Sequence, residues 1–166
     1  MNISCKLGNG LFNYRVAAVL LYDNKVLLES DERFDFLNLP GGRVEMFETS
    51  AQALVREIHE ELGEKPTIER LLWVAESMFN QQLRGDVHEV CYYYLIRLPK
   101  DSEMYQKESF ELTETVGDKT KILSFTWVAL EMLGAVNLKP AWLLKNRIQM
   151  LPAYPEHIVV NELGGN

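Results

Sequence analysis

Cysteine is scarce in this chain: Cys5 and Cys91 are the only two among 166 residues. Two cysteines cannot build the disulfide framework of a small secreted domain, and this pair does not have the spacing of metal ligands. Cys91 lies within an apolar run, so we expect a buried hydrophobic side chain there rather than a reactive thiol. A disulfide scaffold is therefore excluded.

Long hydrophobic runs are also absent. The longest run, at residues 16–22, is far shorter than the roughly 20 residues of a membrane-spanning helix and has the length of a buried strand. The first ten residues, MNISCKLGNG, lack the basic, apolar and small-residue pattern of a signal peptide. We therefore expect a cytoplasmic protein without a membrane partner.

Positive charge is in deficit, with 17 Lys and Arg residues against 24 Asp and Glu residues and a net charge of −7. A DNA- or RNA-binding surface needs a concentration of basic residues to meet the phosphates, so a nucleic-acid partner is disfavoured. A small anionic substrate is not excluded, because a divalent cation supplies the positive charge that the surface lacks.

The composition, 47% hydrophobic and 25% charged, is that of a globular protein long enough for one domain of 166 residues. Apolar runs between turn residues predict strands, and they are separated by helical patterns, which indicates an α/β or α+β layered domain. The predicted strands are 15–22, 26–29, 68–79, 87–98 and 122–128, with a short extended piece at 36–39. Two further helices are predicted at 129–133 and 140–151, a long loop or partly ordered insertion at 99–121, and a peripheral tail from residue 152.

A well-delimited helix is predicted from Ser50 to Leu62. Thr49 is a good N-cap residue, and Gln52 three positions later completes a capping box. Gly63 suits the position after the last helical residue. Apolar residues recur at helical spacing and predict one buried stripe, formed by Ala51, Leu54, Val55, Ile58 and Leu62.

Three acidic residues of this helix, Glu57, Glu60 and Glu61, fall together on a different face. Their mutual repulsion costs about 0.2–0.5 kcal/mol per pair, so a compensating interaction is expected. Hard oxygen ligands on one face suit Mg²⁺ or Mn²⁺ shared with substrate phosphates. Taken alone, the three residues favour the simpler interpretation, a solvated acidic face.

The residues around these acids change that balance. Gly42, Glu48, Arg56-Glu57, Ile58, Glu60-Glu61 and Gly63 stand at the spacing of the Nudix box, and the segment 42–64 resembles that motif. One position departs from it, because Glu64 stands where an aliphatic residue is usual. The resemblance implies an α/β/α sandwich with a mixed β-sheet and a hydrolase that cleaves a pyrophosphate linkage.

The resemblance also implies roles for individual residues. Glu57, Glu60 and Glu61, with the carbonyl of Gly41, would bind the catalytic Mg²⁺, for which Mn²⁺ is a substitute. Glu57 would also lie close to the attacking water, and Arg56 would orient Glu57 by a charge-assisted hydrogen bond. Glu48 would brace the loop against the helix, join the metal shell or contact the substrate.

Members of this family often recruit one more acid from outside the box. Glu89 is our first choice, because it opens a strand after a turn and is expected to point back at the helix. Glu111 and Glu114 are alternatives, and for each of the three an ordinary surface glutamate is an equal interpretation.

Substrate contacts are less well specified. Arg84, in a hairpin loop, is a candidate for contact with phosphate or base. Phe36, Trp73 and Tyr93 are among the candidates for stacking on a base, although a core position is favoured for any single one of them. Arg15, at the start of the first predicted strand, is equally consistent with a surface residue and with a phosphate contact.

The length favours a compact Nudix protein acting on a nucleoside triphosphate or a nucleoside diphosphate derivative. An ADP-ribose or nucleotide-sugar pyrophosphatase is the alternative. A module that senses nucleotides without cutting them is the rival from another class, and it is disfavoured because no acid of the box is lost. The sequence leaves a homodimer open.

Overall fold

A computed structural model describes residues 1–32, 34–81, 85–116 and 119–164, and of residues 114–116 and 119–121 only the backbone. Its strands are β1 Ser4–Leu7, β2 Gly10–Tyr22, β3 Lys25–Asp31, β4 Leu37–Asn38, β5 Gly41–Arg43, β6 Thr67–Gln81, β7 Gly85–Arg97, β8 Ser109–Val116, β9 Lys119–Ala129 and β10 Glu156–Asn161. The α-helix, α1, is Ser50–Leu62, and 3₁₀ helices lie at Glu103–Gln106, Leu130–Ala135 and Ala141–Leu144.

The strands form a mixed sheet in the order β10-β6-β7-β2-β3-β9-β8. The pairs β10–β6 and β2–β7 are parallel, and the remaining neighbours along this order are antiparallel. The short strands β1 and β5 lie end to end along the other edge of β2. The mixed sheet predicted from the family resemblance is confirmed, and β2 connects its two halves.

Alternate residues of β2 face two separate hydrophobic clusters. Val16 and Ala18 pack against α1 through Leu54 and Ile58. Ala17 and its alternate neighbours pack on the other face against the segment that contains the 3₁₀ helices after β9. The site described below depends on this division, because it decides which side chains of β2, β5 and β7 can reach α1.

The helix α1 has the predicted bounds and the predicted caps. Thr49 Oγ1 accepts from the backbone N–H of Gln52 at 3.2 Å, and the Gln52 side chain accepts from Thr49 N–H at 2.8 Å. Gly63 takes a left-handed conformation with φ of 72°, and its N–H donates to His59 O. The buried stripe differs in part, because Ala53 is buried where Ala51 and Val55 are only half-buried.

Outside the helix, the region 99–121 is not a long loop, because it contains the 3₁₀ helix Glu103–Gln106 and strand β8. In the tail, β10, a strand that was not predicted, pairs with β6 at the sheet edge. Where helices were predicted at 129–133 and 140–151, 3₁₀ helices form at Leu130–Ala135 and Ala141–Leu144. Within the described ranges, no helix is long and apolar enough to cross a membrane.

Candidate active site

Arg56 joins α1 to the loop that precedes it. Its Nη2 and Nε donate to the two carboxylate oxygens of Glu48 at 2.6 and 3.2 Å, a bidentate pair. Nη2 also donates to the carbonyl of Arg43 at 3.0 Å, at the end of β5. Glu48 in turn accepts from the backbone N–H of Glu45 at 2.6 Å. Planar bidentate pairs hold geometry firmly, so the loop and the helix form one unit.

The remaining donor of Arg56 turns toward the acidic face. Nη1 donates to Glu57 Oε1 at 2.9 Å and to Glu60 Oε2 at 3.1 Å. One guanidinium nitrogen therefore holds two of the three carboxylates together. This is the compensation that the acidic cluster required, since the shared positive charge offsets the repulsion between the two glutamates.

Gly42 makes room for the carboxylate of Glu57. A Cβ atom built at Gly42 would lie 2.1 Å from Cδ and Oε2 of Glu57, a distance that no real contact allows. Gly42 pairs with Val16 of β2, so the missing side chain would point to the sheet face that α1 covers. The glycine is required because the carboxylate occupies the place of its side chain.

Gly41 and Glu61 are also in direct contact. The backbone N–H of Gly41 donates to Glu61 Oε2 at 3.1 Å, and Glu61 is buried with 5% of its surface exposed. Gly41 has φ of 146°, and a Cβ there would lie 2.3 Å from the carbonyl oxygen of Val16. Only glycine fits this backbone, which places the peptide of Gly41 beside the acids of α1.

The site is electrostatically asymmetric. Burial raises the pKa of Glu57 above its usual value, against the lowering effect of the hydrogen bond from Arg56. The hydrogen bond from Arg56 lowers the pKa of Glu48, which stays ionised. The bond to Glu48 contributes most to a raised pKa of Arg56, so the guanidinium keeps its charge. Glu48 is thus the structural partner of Arg56, and Glu57 is the acid whose charged form is disfavoured by burial.

One observation speaks against a divalent cation at these residues, and another speaks for it. In the described part of the chain, no three His, Cys, Asp or Glu side chains converge tightly enough to form a metal site as they stand. The donors are nevertheless all oxygen atoms, and Arg56 and the Gly41 peptide hold the carboxylates of Glu57, Glu60 and Glu61 along one edge of β5. Hard oxygen donors beside a Gly–Gly strand fit Mg²⁺.

The acids proposed from outside the box lie elsewhere. Glu89 is paired in register with Asn13 of β2 and Ser77 of β6, on the sheet face of Cys91 and away from α1. The expectation that it points back at the helix is therefore wrong, and a catalytic role for it stays a prediction. Glu111 lies on β8, where it accepts from Ser124 Oγ at 3.3 Å.

Two candidates lie outside the described residues, namely Arg84 and the side chain of Glu114. Phe36 is half-buried and stacks on Phe34, with ring centroids 5.1 Å apart. Trp73 and Tyr93, also considered for stacking on a base, are core residues with 0% and 3% of their surface exposed.

One anchoring contact of the helix was missed from the sequence. Ser50 Oγ and the hydroxyl of Tyr94 lie 2.6 Å apart, which ties the first turn of α1 to β7. Glu64, the position that departs from the box, also has a partner in the fold, because Ser102 Oγ donates to Glu64 Oε1 at 2.7 Å. Both contacts join residues 38 or more positions apart, so no local pattern could have indicated them.

Arg56→Lys tests the role of the guanidinium. Lysine keeps the charge but cannot bind Glu48 through two parallel bonds while also holding Glu57 and Arg43 O. We expect turnover to fall by about 10–100-fold, the usual cost of losing a residue that orients a ligand, with a lower unfolding temperature. Arg97→Lys is the matched control, since Arg97 is exposed and its ion pair with Glu69 has an N–O distance of 3.7 Å. Equal effects of both substitutions on turnover would contradict this role.

Fold and site together define a class of protein: a mixed-sheet domain in which one helix presents carboxylates beside a Gly–Gly strand. The comparisons with known proteins agree. The family model of the NUDIX domain matches residues 12–153. The chain therefore belongs to the Nudix family, and it is a hydrolase acting on phosphorus-containing anhydrides.

Solved structures show the same fold at low sequence identity. A Nudix hydrolase from Nitrosomonas europaea is 20% identical, with a TM-score of 0.59, over 80% of this chain and 84% of that one. An ADP-ribose pyrophosphatase from Streptococcus suis is 17% identical, with a TM-score of 0.56, over 87% and 98%. A UDP-X diphosphatase is 24% identical, with a TM-score of 0.54, over 82% and 59%. No curated protein matches the sequence.

Proposed function

We propose that this protein is a Mg²⁺-dependent pyrophosphohydrolase that cleaves the diphosphate linkage of a nucleoside triphosphate or a nucleoside diphosphate derivative. The observation that carries the proposal is the contact between Arg56 and the two carboxylates of Glu57 and Glu60, beside the Gly41–Gly42 strand. Family membership supports the reaction class, and the oxygen-only donor set supports the metal.

Each residue of the site has a part in this reaction. Glu57, Glu60 and Glu61, with the carbonyl of Gly41, would hold the cation. When bound, the cation neutralises the charge of the diphosphate and lowers the pKa of a water molecule in its shell. Glu57 would orient the attacking water, and Arg56 fixes the carboxylate of Glu57. Glu48 keeps Arg56 in place through its bidentate bond.

The substrate class rests on a narrower base. Solved structures of similar fold include an ADP-ribose pyrophosphatase and a UDP-X diphosphatase, so a nucleotide-sugar type of substrate is the second candidate. A turnover screen with Mg²⁺ separates the two, using nucleoside triphosphates, ADP-ribose, nucleotide sugars and dinucleoside polyphosphates. The cytoplasmic location and a homodimer stay predictions from the sequence.

Metal removal tests the proposed cofactor. We expect EDTA to abolish turnover of the best substrate of that screen, and excess Mg²⁺ or Mn²⁺ to restore it, because the acidic site repels an anionic substrate unless a cation neutralises it. Circular dichroism before and after chelation checks that the fold is kept. Full turnover in EDTA would show that the reaction does not use the metal.

The rival function, a nucleotide sensor, makes the opposite prediction. A sensor would bind a nucleotide in the presence of Mg²⁺ without forming products during prolonged incubation at high protein concentration. The intact acids Glu57, Glu60 and Glu61 favour the enzyme, because a module that only binds nucleotides is expected to lose acids of the box.

A further inference from the structure

Arg15 lies in the central strand β2, next to the reaction centre but on the other side of the sheet. In register it stands opposite Arg43 of β5 and Cys91 of β7. Its neighbour Val16 packs toward α1, whereas Ala17, which shares a face with Arg15, packs in the opposite cluster. Arg15 is thus one residue along β2 from the partner of Gly42 and faces away from the helix.

The guanidinium of Arg15 has donors to spare. Within the described ranges, it takes part in no hydrogen bond or ion pair, and none of its nitrogen atoms is among the fully buried atoms that lack a partner. The residue is half-buried, so the group is held within the fold and stays accessible to solvent. A guanidinium carries five N–H donors in a rigid fork that matches phosphate oxygens.

Two glutamates, Glu89 and Glu29, act on Arg15 through their charge. Burial by itself lowers the pKa of Arg15, but the charges of Glu89 and Glu29 are among the influences that outweigh it, and the pKa is raised. The charge of Arg15 also acts on Glu57, where it lowers the pKa. Arg15 therefore stays charged and lies close enough to the reaction centre to influence the acid of α1.

There is space for a ligand group along the same face. A cavity of about 370 Å³ opens at the edge of the sheet, lined by Ser4, Lys6, Gly10, Leu11 and Arg43. Lys6 pairs with Leu11, and Arg43 pairs with Arg15, so the three cations come from the adjacent strands β1, β2 and β5 and share one face. In a chain of net charge −7, Lys6, Arg15 and Arg43 place three positive charges on a face to which β7 contributes Glu89, and this excess of positive charge favours an anion there.

We propose that Arg15 is a substrate-binding residue, which donates to a phosphate oxygen from the face of β5 opposite α1, the same sheet face as the cavity that Lys6 and Arg43 line. The inference rests on the proposed function, since it assigns the group that holds the diphosphate while the acids of α1 act on it. It places the substrate across the Gly41–Gly42 strand, with α1 on one side and the cationic face on the other.

The test is a binding measurement that does not depend on turnover. Methylenediphosphonate, whose P–C–P link cannot be hydrolysed, is titrated by calorimetry in excess Mg²⁺ into the wild type, Arg15→Gln, Arg15→Lys and Arg97→Gln. We expect Arg15→Gln to weaken binding by about 10–100-fold, the value of a hydrogen bond to a charged group. Arg15→Lys should bind with intermediate affinity, because it keeps the charge but loses the fork.

Arg97→Gln removes the same charge from an exposed site and should bind as the wild type does. Thermal unfolding without ligand shows whether Arg15→Gln is folded, and if it is not, Arg15→Lys carries the test. A folded variant of Arg15 that binds as tightly as the wild type overturns the inference, and so does a wild type that does not bind the probe.

The outcomes also separate this inference from the proposed function. Arg15-dependent binding in a protein that hydrolyses no phosphoanhydride would support the phosphate contact and refute the hydrolase. Hydrolysis that depends on Glu57, together with unchanged binding in Arg15→Gln, would support the hydrolase and refute the phosphate contact of Arg15.

Discussion

Glu57→Gln lowers turnover by about 10²–10⁴-fold while the protein stays folded, the range expected when a group that orients or deprotonates the attacking water is lost. Glutamine has nearly the same shape as glutamate, and its carbonyl oxygen still accepts the hydrogen bond from Arg56. The substitution therefore removes one negative charge from the site and leaves its hydrogen bonds in place. Steady-state turnover on the best substrate, together with denaturant unfolding, measures both effects.

Glu103→Gln is the control for this experiment. Glu103 has 86% of its side chain exposed, and in its ion pair with Lys107 the distance from Oε2 to Nζ is long, 3.9 Å. It should keep wild-type turnover, because a pair of this kind contributes little. Near wild-type turnover of Glu57→Gln would show that the carboxylate has no part in the chemistry.

Gly42→Ala should lower turnover by about a hundredfold with only a small loss of stability. The new Cβ atom would overlap the carboxylate of Glu57, which is the flexible end of a side chain and moves aside at little cost. A displacement of about 1 Å in a catalytic group costs on the order of 10²-fold in rate. Gly134→Ala is the matched control, because a Cβ atom there meets nothing within 4 Å.

Substitutions at the two neighbouring glycines, Gly41 and Gly42, should affect different properties, stability at Gly41 and turnover at Gly42. A side chain at Gly41 would clash with the backbone of β2, 2.3 Å from Val16 O, which cannot move without disturbing the sheet.

In a Glu57→Gln protein, adding Gly42→Ala should cost little further turnover, since effects within one catalytic unit are not additive. A hundredfold further loss would show that Gly42 acts by a route other than Glu57.

The helix and its acids could be predicted because their signals are local. Thr49, Gln52 and Gly63 specify both ends of α1 within a few residues of each other, and the structure has the same bounds. The role of Arg56 was implied by the resemblance to the Nudix box, and Glu57 and Glu60 lie within one turn of it. The bidentate pair with Glu48 joins residues only eight positions apart.

The errors concern features that depend on distant pairing. Strand β8 is rich in acids, but its register with β9 packs the partly buried Leu112 against the core beside Leu123 and makes a polar segment extended. The strand β10 becomes stable only through its parallel pairing with β6, more than 70 residues away. After Pro140 the 3₁₀ helix ends at Leu144, and two residues later Asn146 has a left-handed conformation with φ of 57°, which does not continue a right-handed helix.

Dependence on strand pairing also explains why the sequence did not predict the positions of Glu89 and Arg15. Glu89 was assigned to the helix side because its sequence neighbours begin a strand, but which face it takes is decided by register with Asn13 and Ser77. Arg15 was indistinguishable from a surface residue until β2 was found between β5 and β7. A one-residue shift in register would move each of these side chains to the opposite face.

The most direct test of the central claim is the binding of Mn²⁺ to the acidic face of α1. Electron paramagnetic resonance of free Mn²⁺ measures the affinity for the wild type, Glu57→Gln, Glu60→Gln and the control Glu103→Gln without any substrate. We predict that the wild type and Glu103→Gln bind Mn²⁺ alike and that Glu57→Gln and Glu60→Gln bind at least about tenfold more weakly, because each loses one charged oxygen ligand. Equal Mn²⁺ affinity in all four proteins would contradict a metal site on this helix.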